Sequence, residues 1–202
     1  MKTTIVISMI AALSLTAAAQ EFNVDDEGFI RNWLVLGSIP VESGGGQEIG
    51  EEQIKDEGKL KPKAGDKLTV RGEKLEWKAA KADDYYFDFN VWLKRPEEDK
   101  AQNVIGYLAC TIVAAEEMKG IQGRFSSNDQ GRFYLNGKEA FTFDSTRSID
   151  KDQDTVENLT LQKGENTIVL KIINEQNNWQ GALRFTDKSG KPIKNVKVAL
   201  AK

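Results

Sequence analysis

The 202-residue chain contains no histidine and only one cysteine, and these two scarcities exclude more chemistry than its motifs supply. Without imidazole there is no Ser-His-Asp or Cys-His relay and no His-ligated zinc or iron site. A lone cysteine cannot close an internal disulfide, so stability must come from packing and hydrogen bonding. Cys110, inside the apolar run Tyr107-Leu108-Ala109-Cys110-Thr111-Ile112-Val113, reads as a small buried hydrophobe. Also missing are a G-x-S-x-G elbow, a P-loop, G-x-G-x-x-G and C-x-x-C. Charge of a single sign is lacking too: the formal net charge is −3 with both signs interspersed, which offers no footprint for nucleic acid or an anionic membrane.

A stretch rich in apolar residues opens the chain. Lys2, the run from Ile5 to Leu15 and the small residues Ala17-Ala18-Ala19 predict an export signal over residues 1–20, with the mature chain starting near Gln20 or Glu21. Thr3, Thr4, Ser8, Ser14 and Thr16 make it too polar for a membrane anchor, and no later segment could span a bilayer. The cysteine that a lipoprotein signal needs after cleavage is absent, so release into a periplasm or the medium is expected. Residues 21–202 suffice for one domain with a sizeable core.

Past the signal, short apolar runs alternate with turn residues, the pattern of antiparallel β-structure. A first strand is predicted over Phe29 to Leu36, then a glycine-rich loop at Ser43-Gly44-Gly45-Gly46, one short helix within Glu48 to Glu57 and a turn at Lys61 to Asp66. Tyr85 to Leu93 alternates clearly, placing Tyr85, Phe87, Phe89, Val91 and Leu93 on a core face and Tyr86, Asp88, Asn90 and Trp92 on the other. Val104 to Ala115 suits a central strand covered on both sides, and Ile121, Gly123 and Phe125 continue with period two. Asn136-Gly137, between Phe133-Tyr134-Leu135 and Ala140-Phe141-Thr142-Phe143, marks a type I′ hairpin. Val156 to Leu161 and Thr167 to Ile173 are predicted to pair around Lys163 to Asn166, with Trp179 to Phe185 and Val196 to Leu200 last. About ten strands with at most one short helix imply an all-β, two-sheet antiparallel β-sandwich, a jelly roll.

The segment from Ser126 to Lys138, SSNDQGRFYLNGK, resembles the "SDDG, apolar strand, NGK" stretch of jelly-roll modules in the galactose-binding-domain-like group. These include PA14-like domains and the sandwich domains attached to β-galactosidases and acetylxylan esterases. The stretch from Leu161 to Ile172 resembles the same modules' "kGeN" strand, and Trp179 followed by Leu183 to Asp187 their final core strand. The likeness covers most of residues 29 to 188 and implies a carbohydrate-binding module without catalytic residues. Where PA14-like adhesins hold calcium with Asp-Asp, this chain has Asn128-Asp129, which still offers oxygen ligands.

A second calcium candidate lies in Asp150, Asp152 and Asp154, whose alternate spacing would aim three carboxylates one way from an extended chain. It copies only the start of an EF-hand loop, since Thr155 stands where glycine is needed and Leu161 where the bidentate glutamate belongs. Solvated loop carboxylates are the alternative.

Sugar binding asks for an aromatic ring to stack on a pyranose face, with amides and carboxylates bonding the hydroxyls. Two places offer this. One is the amide-rich loop Asn174 to Gln180, with Asn177, Asn178 and Trp179; the other is the strand face carrying Tyr86, Asp88, Asn90 and Trp92. Against them stand a rim-of-core role for Trp179 and a covered second face for Tyr86 and Trp92. The carboxylate pairs Asp83-Asp84 and Glu116-Glu117 leave room for a small glycoside hydrolase, though solvated charges at strand ends are ordinary. The expected partner is a polysaccharide or other glycan; the competing role is a structural sandwich docked on an envelope protein or enzyme.

Overall fold

The computed structural model describes residues 19–42 and 47–202; residues 1–18 of the predicted signal and the Ser43 to Gly46 loop lie outside them. Fourteen strands are present among the described residues: β1 (Gln20–Asn23), β2 (Asn32–Pro40), β3 (Lys67–Val70), β4 (Glu73–Glu76), β5 (Lys78–Lys81), β6 (Phe87–Asp88), β7 (Val104–Ala114), β8 (Met118–Asn128), β9 (Gln130–Leu135), β10 (Lys138–Phe143), β11 (Asp154–Leu161), β12 (Gly164–Asn174), β13 (Gln180–Thr186) and β14 (Val196–Leu200). Two one-turn helices accompany them, α1 (Gln47–Gly50) and α2 (Phe89–Trp92).

The larger sheet runs β1-β14-β7-β12-β9-β10, with β2 pairing β7 beside β14 and carrying β5 on its other edge. The smaller sheet runs β11-β8-β13-β6, and β3 and β4 form a separate hairpin. All pairings are antiparallel, so the chain is the all-β sandwich that its alternation predicts. Phe133 from β9 meets Phe125 of β8 and Phe185 of β13, each with ring centroids 6.4 Å apart, across the space between the sheets. Gly131 lets the sheets approach there, since a Cβ on it would lie 2.5 Å from the Phe125 ring.

β7 and β12 are apolar almost throughout because both their faces are covered. The segment from α1 to Leu60 crosses the outer face of the larger sheet and is fastened by a buried polar cluster. Lys171 of β12 sends its ammonium to the carbonyls of Glu48 (2.8 Å) and Glu51 (2.5 Å) and sits 3.4 Å from the carboxylate of Glu57. Glu57 in turn accepts from Tyr107 (2.5 Å) and Tyr134 (2.7 Å). Neither Glu57 nor Lys171 has exposed side-chain surface. Burial lowers the Lys171 pKa against the opposing pull of Glu57, and burial beside Glu57 holds the Tyr107 hydroxyl well above its ordinary range.

Asn136 and Gly137 have φ of 52° and 79°, as a type I′ turn between β9 and β10 requires. The two asparagines that carry the sequence resemblance are bonded to each other. Asn136 Nδ2 donates to Asn166 Oδ1 at 2.9 Å, and Asn136 Oδ1 accepts from the Thr167 N–H at 2.9 Å. Asn166 also accepts from the N–H of Gln162 and donates to its carbonyl, each at 2.8 Å. These motif residues therefore hold turns.

The structure corrects several local expectations. β11 and β12 do not pair with each other: β11 joins β8, β12 lies between β7 and β9, and the turn at Gln162 to Lys163 carries the chain from one sheet to the other. The first long strand starts at Asn32, because Asp25 accepts from the N–H groups of Glu27 and Phe29 and closes a turn ahead of it. The helix expected within Glu48 to Glu57 is the single turn α1, followed by a 3-10 turn at Glu57–Lys59. Tyr85 to Leu93 is strand only at Phe87–Asp88. There Asp88 accepts from the Val91 N–H at 3.1 Å and caps α2, so period two ends where the cap begins.

Candidate functional site

Trp179 is a core residue and not a sugar platform. It has no exposed surface, its indole stacks on Phe89 with centroids 4.3 Å apart and planes 15° apart, and its Nε1–H donates to the Ile172 carbonyl at 3.2 Å. Gly106 opens the slot for both rings: a Cβ there would lie 2.6 Å from Trp179 and 2.4 Å from Phe89. The polar loop before Trp179 disguises this, because the chain turns inward immediately after Asn178.

Asn177 and Asn178 are exposed and bind this loop to its neighbours. The Asn177 carbonyl accepts from Asn90 Nδ2 at 2.9 Å, and Asn178 Oδ1 accepts from Lys100 Nζ at 2.7 Å. Asn90 is itself buried and accepts from the Ala101 N–H, so it belongs to this tie and to no open strand face.

Tyr86 and Trp92 do come together, by a different route from the shared strand face that alternation suggests. The end of β5, the turn after it, β6 and α2 wrap a pocket of about 410 Å³ lined by Lys81, Ala82, Asp83, Asp84, Tyr86, Phe87, Asp88, Val91 and Trp92. The one-turn helix makes it: Trp92 swings back to Phe87, centroids 6.2 Å apart, while Val91 is left 63% exposed. Val91 is the one exposed large hydrophobic among the described residues. Tyr86 meets Tyr85 edge-on at 5.0 Å. Asp88 is held by the Val91 N–H and by Gln180 Nε2 at 2.9 Å, which fixes one carboxylate of the pocket wall. Burial raises the Tyr86 pKa, and the carboxylates of Asp84 and Asp88 raise it further. Sequence reasoning placed Tyr86 and Trp92 as ligand candidates but missed Val91, assigned to the core, and the role of Lys81 and Ala82. Only recognition of Asp88 as a helix cap would have revealed them.

The acidic run does not converge. Lys151 and Asp152 form a turn, with Asp152 at φ 59°, so the alternate carboxylates are not presented from an extended chain. Asp152 pairs with Arg184 and Asp154 with Arg147, the latter at 2.6 Å. Asn128 and Asp129 are buried at the β8–β9 junction, where Asp129 accepts from the N–H groups of Glu175 (3.0 Å) and Arg147 (3.3 Å). Burial raises the Asp129 pKa while these donors oppose the rise. Among the described residues no three acidic or cysteine side chains gather as a metal ligand set. The melting temperature is accordingly expected to be the same in millimolar CaCl2 and in EDTA; a reversible rise with calcium in a thermal melt would contradict this.

Neither a family model nor a curated protein matches the sequence. Among solved structures the chain is similar to a PA14 sugar-binding domain from an RTX adhesin, with TM-score 0.41, 12% identity, and 86% of this chain and 78% of that one covered. It is also similar to the PA14 domain of the antifreeze protein MpAFP, with TM-score 0.36, 10% identity and coverage of 93% and 88%. A β-glucosidase from Kluyveromyces marxianus follows at TM-score 0.30 and 15% identity, covering 59% of this chain and 14% of the enzyme. The all-β assignment rests on the strand pairing of the chain itself.

Proposed function

We propose that the protein is an exported, non-catalytic module that binds polysaccharide reversibly through the pocket between Tyr86 and Trp92. The observation that carries this reading is the combination on one open surface of two half-buried aromatic rings, an exposed Val91 and three carboxylates. An apolar wall suits the C–H face of a sugar ring, and the carboxylates suit its hydroxyls. Covering the apolar wall of the pocket, at roughly 25 cal/mol per Å², contributes somewhat under about 2 kcal/mol, enough for weak reversible binding that repeats along a polymer would strengthen. Export rests on the sequence pattern of residues 1–20. Beyond Val91 the described surface has no large exposed hydrophobic to serve as a foothold for a docked protein, so the interaction-sandwich alternative has no observation in its favour.

Retention on a panel of insoluble polysaccharides, followed by titration calorimetry on the one retained, tests the reading. Trp92→Ala should weaken binding by roughly tenfold, measured at a temperature where the variant, which loses the Trp92–Phe87 contact and melts somewhat lower, is still fully folded. Binding that survives undiminished in Trp92→Ala would remove this pocket from the account. Release of reducing ends from the bound polymer would make the protein a hydrolase instead.

A further inference from the structure

Building on the pocket assigned above, we propose that it selects a cationic sugar, a glucosamine unit with its amine free, over neutral or acetylated units. Three carboxylates and one ammonium line the pocket, a formal charge of −2 in a chain of 202 residues whose whole net charge is −3. The carboxylates differ in how they are held. Asp88 has both oxygens engaged, by the Val91 N–H and Gln180 Nε2, and is a fixed charge in the lining. Asp83 and Asp84 are exposed, and among the described residues Asp84 accepts from the adjacent Tyr85 N–H alone. Burial, and after it the charges of Asp84 and Asp88, disfavour ionisation of the Tyr86 phenol, so both carboxylates lie close enough to the ring to act on a bound cation.

A protonated amine on a pyranose fits this arrangement in two ways. It is attracted to carboxylates at the mouth, and aromatic faces attract cations that approach them. The apolar part of the same sugar takes Val91 and Trp92, which a bare metal ion or inorganic cation would leave uncovered. A uronic acid polymer would meet like charge. Lys81, the single cation on the wall, is exposed, and its ammonium can swing into solvent.

The experiment is calorimetric titration of the whole chain with three oligomers of equal length: glucosamine, N-acetylglucosamine and glucose units, β-1,4-linked. At about pH 5.5 the sugar amine is protonated and ordinary carboxylates are ionised. The glucosamine oligomer should bind roughly tenfold tighter than the other two at low salt, two exposed charge pairs being worth about that much. The preference should shrink as salt shortens the screening length toward about 3 Å near 1 M. Asp83→Asn with Asp84→Asn should bring the glucosamine oligomer down to the affinity that the acetylated oligomer has for the same variant, and a preference that persists in the variant would overturn the role of these two carboxylates; asparagine keeps the oxygen that accepts from Tyr85.

Equal binding of all three oligomers would overturn the charge preference and leave the glycan reading standing. Binding of none, alongside no retention on any polysaccharide, would overturn both. A lysine hexapeptide bound as tightly as the glucosamine oligomer, and no more weakly by Trp92→Ala, would overturn the sugar in favour of a basic peptide.

Discussion

Trp179→Ala should lower folding stability by about 3–5 kcal/mol, in the range of buried tryptophan truncations, and should not act as a selective binding mutation. The indole fills a slot bounded by Phe89, by Gly106 and by Gly37, where a Cβ would stand 3.3 Å from its edge. Removing it strips Phe89 of its stacking partner, leaves the Ile172 carbonyl without its indole donor and opens a cavity that backbone on two sides cannot collapse to fill. Urea denaturation followed by circular dichroism should show the midpoint falling with little change in slope. A stable Trp179→Ala protein that had lost its ligand would return Trp179 to the binding site and refute its assignment to the core.

The second large effect is expected at the Glu57–Lys171 pair. Lys171→Met should cost about 3–5 kcal/mol, because it leaves the Glu57 carboxylate buried beside two phenols with no countercharge. Glu57→Gln leaves the Lys171 ammonium with its backbone carbonyls and should cost less. The double variant should lose less than the two single variants together, since neither unpaired charge then remains, and the shortfall is the coupling energy of a double-mutant cycle. Amide hydrogen exchange should rise first in residues 48–60, which Lys171 fastens to the sheet by their carbonyls. Additive single effects, or Lys171→Met within about 1 kcal/mol of the parent, would show that the pair contributes little beyond ordinary packing.

How far the sequence discloses the structure differs by element. β7 is legible because burial on both faces makes its run continuously apolar, and the β9–β10 hairpin because Asn136-Gly137 accepts positive φ. The β3–β4 hairpin and the edge strand β5 are not legible. These strands are four residues each and mostly exposed, so Lys67–Val70 and Lys78–Lys81 carry little hydrophobic alternation. At Tyr85 to Leu93 the alternation is real but belongs to two structures, a two-residue strand and a one-turn helix, divided by a capping aspartate. The pairing of Val156–Leu161 with the next strand fails for a different reason: a short turn can join strands of opposite sheets, and only Asn166, wired across to Asn136, reveals it.

The candidate site shows the same division. Tyr86 and Trp92 were identifiable as aromatics among acids, yet their convergence depends on α2 and could not come from a strand face. Trp179 was misleading because amide-rich neighbours usually signal solvent, whereas here they end one residue before the chain enters the core. In the acidic run, Arg147 and Arg184 take two of the carboxylates, which alternate spacing alone does not reveal.

The four tryptophans provide the most direct test of the pocket. Trp33, Trp77 and Trp179 are buried and Trp92 alone is partly open, so their indole N–H resonances are four separate reporters. In a nitrogen-15 spectrum titrated with the retained oligosaccharide, the Trp92 indole signal should move to saturation while those of Trp33, Trp77 and Trp179 stay in place. Movement of the Trp179 signal with Trp92 unchanged would contradict the account.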